Sequence, residues 1–432
     1  MPSNHAAGRR RVDRWRELSL LAIVLAGAAL IPLVFVSDAT DGLRLPKTLL
    51  LRAEAILLVS VVLAALIFGD SLRVKWRDPW LLLPFGAFLI FLLVTITSTK
   101  PVLSIDALGT AAASLVVFLC TMLAAARRTW ALVVIPLASA VLNAALVIVE
   151  ESRLWMPFGV RPDIPHHLQC TALIGNPNEV GAFLAAAALV CVAAIAAGTH
   201  ASRRLGIVIA AVLIAGLIAS RTLTAMAAIA AAAIAVLILD SWKNAFRVAA
   251  AGVAIAVLVI AFVGPLRQRA ANMIRWLKAG DYNMLLTDRL TPFASAWSMF
   301  ADHPLTGVGP DAFAWQYYDY KLQAEMRHPL LRRAYNRGVN YGEVHNDHLQ
   351  VLAEGGLAGY GAFAALLGAL GSISFTIPKD AADPFQRFAR HLAFPLAAFW
   401  VVLSLAQFPL ETTVVRALLM HFAALCAAWR NG

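Results

Sequence analysis

Apolar runs of about 17–22 residues recur from one end of this chain to the other, each long enough to cross a bilayer as a helix. Only helices and closed barrels satisfy their backbone polar groups inside lipid. Barrel strands would show short alternating segments, and the sequence has none. Of 432 residues, 60% are hydrophobic and 14% charged, which is too apolar for a soluble protein of this length. The expectation is an all-α polytopic membrane protein of about 12 transmembrane helices with a long, partly helical outward loop.

The twelve runs lie roughly at 19–36, 47–68, 79–97, 107–125, 129–149, 178–198, 204–220, 222–239, 246–264, 347–373, 390–408 and 411–428. They divide the chain into an N-terminal transmembrane bundle (1–264, about nine spans), a loop domain (265–346) and a C-terminal bundle (347–432, about three spans). With the N-terminus inside, the even-numbered links carry Arg73, Lys75 and Arg77, then Arg127 and Arg128, then Arg203 and Arg204, then Lys243 and Arg247, then Lys379, Arg387 and Arg390. The short odd-numbered links carry few bases, so both termini are expected to be cytoplasmic. Arg9, Arg10, Arg11, Arg14 and Arg16 precede the first run. Arg9-Arg10 is not read as a twin-arginine signal, because no small-residue cleavage site follows, and the run is taken as a retained span.

The formal charge of +11 raises nucleic acid as a partner. The bases sit in short links and form no stripe with interleaved aromatics, so no nucleic acid is expected. Cys120, Cys170, Cys191 and Cys426 form no close pair, and three lie inside apolar runs. Neither a disulfide framework nor a zinc motif is indicated.

Two outward segments exceed a turn. The smaller, about 150–177, ends in Gly175-Asn-Pro-Asn178, where Pro177 disfavours helix at Asn176 and Asn178 is the expected cap of the next span. The larger, about 265–346, is rich in aromatics and reads as a folded unit at the membrane. Thr291-Pro292 predicts a helix start, running to about Asp302 before Pro304. Gly307-Val-Gly309-Pro310 is a turn; its spacing fits no phosphate-binding loop. A second helix is expected at about 311–326, then a basic patch (Arg327, Arg332, Arg333) suited to lipid phosphates.

The chemistry has few places to be. Tyr341-Gly-Glu-Val-His345-Asn-Asp-His348 packs an imidazole, a carboxylate and an amide just before an apolar helix. Asn346 or Asp347 is the expected N-cap, which puts His345 by the positive end of a helix dipole and favours a neutral ring able to act as a base. A surface histidine without a role is the plainer alternative. Metal ligation by Glu343, His345 and His348 is another, though the spacing is not that of a familiar zinc site.

Arg221 lies in a tight turn between two apolar runs. It is either an arginine that snorkels to the membrane edge or an anion clamp at headgroup depth. Arg289 is either a second clamp or a solvated loop residue. Arg52 and Glu54, within a span, are expected to face protein. Glu411 and Arg416 are expected to share the same polar pocket or to pair with each other.

Taken in order, several of these residues resemble the family of O-antigen ligases, O-antigen polymerases and bacterial O-oligosaccharyltransferases. They are Gly175-Asn-Pro-Asn178, Ser220-Arg221-Thr222, Arg289 with Trp297 eight residues on, and Pro304 with Gly307-x-Gly309. His345-Asn346-x-x-Leu349-Gln350 running into Glu354-Gly-Gly-Leu-Ala-Gly359 completes the set. The chain departs from one common pattern by carrying Val344 before the histidine.

The resemblance implies a Gram-negative inner-membrane glycosyltransferase whose long loop is periplasmic. Its donor would be undecaprenyl pyrophosphate-linked O-antigen and its acceptor lipid A–core, amid membrane lipids, with no cofactor and no metal. His345, Arg289 and Arg221 would be catalytic. Asn346, Glu343, Tyr341, Asn178, Trp297 and His348 would contact substrate. O-antigen polymerase and protein O-oligosaccharyltransferase are the alternatives within the family. A transporter of a lipid-linked or anionic substrate is the rival class; it would call for mid-membrane ionisable groups, paired broken helices and inverted repeats.

Overall fold

A computed structural model describes the chain except residues 1–3, 37–40, 69–77, 161, 199, 244–245, 247–263, 332–340 and 432. Its first nine helices are α1 (Asn4–Leu30), α2 (Leu45–Ile67), α3 (Pro79–Ile96), α4 (Pro101–Ala125), α5 (Ala131–Glu151), α6 (His166–Gln169), α7 (Pro177–Ala197), α8 (His200–Ala219) and α9 (Leu223–Asp240). There follow α10 (Gly264–Lys278), α11 (Tyr282–Leu285), α12 (Leu290–Asp302), α13 (Phe313–Arg327), α14 (Asp347–Thr376), α15 (Pro384–Leu403) and α16 (Thr413–Trp429). No strand occurs among the described residues. The protein is a polytopic α-helical membrane protein: α2, α3, α4, α5, α7 and α14 are each long and apolar enough to cross a bilayer. The expected run at 246–264 falls almost wholly outside the described residues, as do Arg332 and Arg333.

Helix ends differ from expectation where proline or a polar first turn intervenes. The first helix stops at Leu30, ahead of Pro32, and does not reach residue 36. Asn176 caps α7, not Asn178: its side chain accepts the Asn178 N–H, and Pro177 takes the first helical position, where its missing N–H costs nothing. Likewise α15 starts at Pro384 under an Asp383 cap, before its apolar stretch begins. Helices α12 and α13 match the expected pair closely.

The core is continuous across the chain. Phe183, Leu184 and Leu189 of α7 pack in one cluster with Leu392 and Phe399 of α15 and Phe422 of α16. Helix association in lipid depends on close packing, since the tails are as apolar as leucine. Small residues permit it: a Cβ on Gly216 would stand 2.8 Å from that of Ala144. At one end of the bundle, buried Arg390 donates to the carbonyls of Ser374, Ile377 and Leu239, which finish α14 and α9. A guanidinium is suited to helix C-termini.

Helix α14 is broken at Gly356 (φ 59°, ψ −158°). The carbonyls of Ala353 and Glu354 accept from the N–H groups of Val308 and Gly309 at 2.9 and 3.0 Å. Beyond the break, Leu357 and Ala358 donate to the carbonyls of Pro304 and Leu305. The Gly307-Val-Gly309 turn is therefore a backbone clamp on the broken helix. A Cβ at Gly307 would overlap the Glu354 backbone, and one at Gly356 the Leu305 backbone. Gly307→Ala or Gly356→Ala is expected to destabilise the detergent-solubilised protein by about 2 kcal/mol or more in thermal unfolding. Gly361→Ala meets nothing within 4 Å and should leave the transition in place.

Candidate active site

His345 stands at the start of α14 with φ 60°, a conformation costly for a residue with a side chain. Asn346 follows as the N-cap: its side chain accepts the Leu349 N–H and donates to the Leu405 carbonyl at 2.9 Å. Buried Asp347 receives the Leu410 N–H and the Ser404 hydroxyl, which ties the 404–412 turn against the histidine. Phe408 of that turn lies edge-to-face with the imidazole at 4.7 Å, and Tyr341 lies at 5.9 Å. The ring's Nδ1 is buried without a hydrogen-bond partner. Such an orphan costs about 1–3 kcal/mol and calls for an explanation.

Two arginines bear on this ring. Arg289 follows two residues of positive φ, Thr287 and Asp288, in a turn locked by buried Asn283, which donates to Asp288 and accepts from Leu290. Its guanidinium donates to the Ala406 carbonyl at 2.9 Å. Arg44 precedes α2. It pairs with Glu179 and with Glu343 (2.8 Å), and its guanidinium carbon sits 5.7 Å from the centre of the Phe408 ring. Burial opposes the charge on Arg44, but Glu179 and Glu343 outweigh it and hold its pKa above the ordinary value.

Burial, then Arg289, then Arg44 push His345 from 6.5 down to about 4. The ring is neutral across the physiological range. Between those two values an unfolded chain holds the proton and the folded one does not, so this residue costs stability as pH falls from 6.5 towards 4.

The other expected site residues are scattered more widely. Arg221, also at positive φ, pairs with Glu151, and the charges that act on His345 are Arg289 and Arg44. Asn178 lies in the first turn of α7, next to Glu179, the residue that holds Arg44. Trp297 is exposed on α12 beside Phe300. His348 uses both nitrogens inside the fold, towards the Val401 carbonyl and the Tyr360 hydroxyl. With Glu343 turned to Arg44, the alternative metal set of Glu343, His345 and His348 does not assemble. Arg52 pairs with Asp106, whereas Glu54 lies in the notch left by Gly27.

Residues 208–364 match the family model described as O-antigen ligase. Over this segment, a little over a third of the chain, the protein is similar to the O-antigen ligase family, and the match supports membership of it. The segment spans Arg221, Arg289 and His345; Arg44 and Glu179 lie outside it. Comparison with curated proteins finds no match.

Arg44, Glu179 and Phe408 were not legible in the sequence as candidate site residues. One signal did exist for Arg44: it is a base on an odd-numbered link, where the charge rule expects few.

A cavity of about 510 Å³ opens nearby between α3, α4 and α14. Phe88, Phe91, Phe118, Phe363 and Trp400 wall it, and Asp106, Asp311, Glu354, Glu411 and Arg416 form its polar end. Glu411 and Arg416 thus line one cavity, and Arg221, Arg289 and His345 are not among its lining residues. Burial raises Glu411 to about 7, against the pull of Arg416. Glu343 and Arg44 act on Glu411 as well, so the polar end lies within electrostatic reach of the His345 cluster.

Proposed function

We propose that the protein transfers O-antigen polysaccharide from undecaprenyl pyrophosphate to a hydroxyl of lipid A–core on the periplasmic face of a Gram-negative inner membrane. The observation that carries this reading is a neutral, half-buried imidazole held beside two guanidinium groups. The diphosphate binds to Arg44 and Arg289, and Arg221 meets the carrier at headgroup depth. The acceptor oxygen attacks the anomeric carbon, its bond to the diphosphate oxygen breaks, and His345 takes the hydroxyl proton. One displacement inverts the anomeric centre, and undecaprenyl pyrophosphate leaves with the bonding pair. Charge grows on the departing oxygen, where fixed guanidinium groups act as a divalent ion would.

A ring with a pKa of about 4 is a weak base by itself. Burial and then these two arginines depress it, and an arriving diphosphate cancels the arginines' share. Donor binding therefore raises the pKa of His345 and primes it for the acceptor. The acid limb of kcat/KM, which reports free enzyme, is expected near pH 4, and that of kcat at higher pH. Coincident limbs in the two profiles would contradict this priming.

The lipopolysaccharide ladder of a deletion strain separates the two nearest activities. Loss of all long chains from lipid A–core, with polymer stranded on its carrier, supports ligation. A single repeat still attached to the core would make the protein a polymerase.

A further inference from the structure

Away from His345, Glu151, His166 and Cys170 bring three different donor atoms to one point. Glu151 ends α5, whereas His166 and Cys170 stand four residues apart across the single turn of α6. The Cys170 sulfur lies 3.4 Å from Glu151 Oε2 and 3.8 Å from His166 Nε2, and the nitrogen is 4.0 Å from the same oxygen. Around a tetrahedral zinc ion such donors stand about 3.3–3.7 Å apart, so a small inward shift closes the set. The other oxygen of Glu151, Oε1, is held by Arg221. A ligating carboxylate is commonly steadied in this way by a partner on its far oxygen.

A second observation points the same way. Glu150 is almost fully buried; its Oε2 accepts the Ala172 N–H, its Oε1 has no partner, and its charge bears on Cys170. Glu151 thus links this group of donors to the exposed guanidinium of Arg221.

We propose that Glu151, His166 and Cys170 form a site for a divalent transition cation of the zinc class. Sulfur, imidazole and carboxylate together select such an ion over magnesium or calcium. Binding releases the thiol proton to solvent and forms a metal–thiolate bond, with no change of oxidation state. The ion ties the 152–176 segment to α5 and, through Glu151, fixes the turn that carries Arg221. It takes no part in the displacement itself, so the site stands or falls apart from the proposed transfer.

The test is a Co²⁺ titration of the purified full-length protein in detergent, with thiols kept reduced, followed by absorbance. A thiolate-to-cobalt charge-transfer band that saturates at one ion per chain is expected, with Zn²⁺ displacing the Co²⁺. The triple variant C120S/C191S/C426S should keep the band, while Cys170→Ser and His166→Ala should each lose it. No band in the wild-type protein, or a band that survives Cys170→Ser, overturns the site.

Discussion

His345→Asn is expected to lower transfer at least about 100-fold while expression and thermal unfolding stay near wild type. Asparagine tolerates the positive φ at this position better than alanine, so the substitution removes the imidazole with little backbone cost. The reference is general-base catalysis, worth about 100- to 10,000-fold where a side chain moves a proton in the transition state. His348→Asn is the matching control. That ring is engaged within the fold by Val401 and Tyr360, so its loss should change stability more than rate. Measured kcat for the two variants in one assay separates these outcomes.

Arg289→Lys and Arg44→Ala are each expected to reduce kcat by about 100- to 1,000-fold, the usual cost of removing one preorganised group that stabilises developing charge. Lysine keeps the charge of Arg289 but not its planar fork. The fork already spends one N–H on the Ala406 carbonyl, and a single ammonium cannot both hold that contact and grip a phosphate with two prongs. For Arg44 the loss has a further consequence. Glu179 is buried, and without its partner it becomes an unpaired charge, costing about 3–5 kcal/mol. Arg44→Ala/Glu179→Gln removes both charges, so it should recover stability without recovering transfer. Recovery of both would assign Arg44 a structural role alone.

The contrast between the legible and the hidden parts of the site follows from the range of the forces involved. Length and hydropathy are local, so the runs that became α2, α4, α5, α7 and α14 stand out in the sequence. Capping is local too, and Asn346 was among the two residues expected to begin α14. The two-residue displacement of the α7 cap, from Asn178 to Asn176, arose because Pro177 fits inside the first turn, not before it. Gly307 and Gly309 were legible as a turn. Their partner was not, because backbone pairing with the break at Gly356 leaves no pattern in residue type.

Charge pairs across the fold are hidden for the same reason. Arg44 meets Glu343 across 299 positions, and Arg221 meets Glu151 across 70. Buried Lys47 adds another case, donating to the Val34 and Leu43 carbonyls and so securing the loop that presents Arg44. A transporter would call for ionisable groups at mid-membrane depth, and apart from Arg52 and Glu54 the spans read as clean. The spans also hold Glu354, Arg416 and His421, and the break in α14 is filled by the Gly307 turn.

The most direct measurement is transfer by purified protein, in detergent, from undecaprenyl pyrophosphate-linked O-antigen to lipid A–core, with the product resolved by mass and anomeric configuration. Wild-type protein is expected to form an adduct of inverted configuration, and His345→Asn to form almost none. A retained configuration, no adduct from wild-type protein, or an equal rate from the variant would contradict a neutral histidine acting beside two arginines.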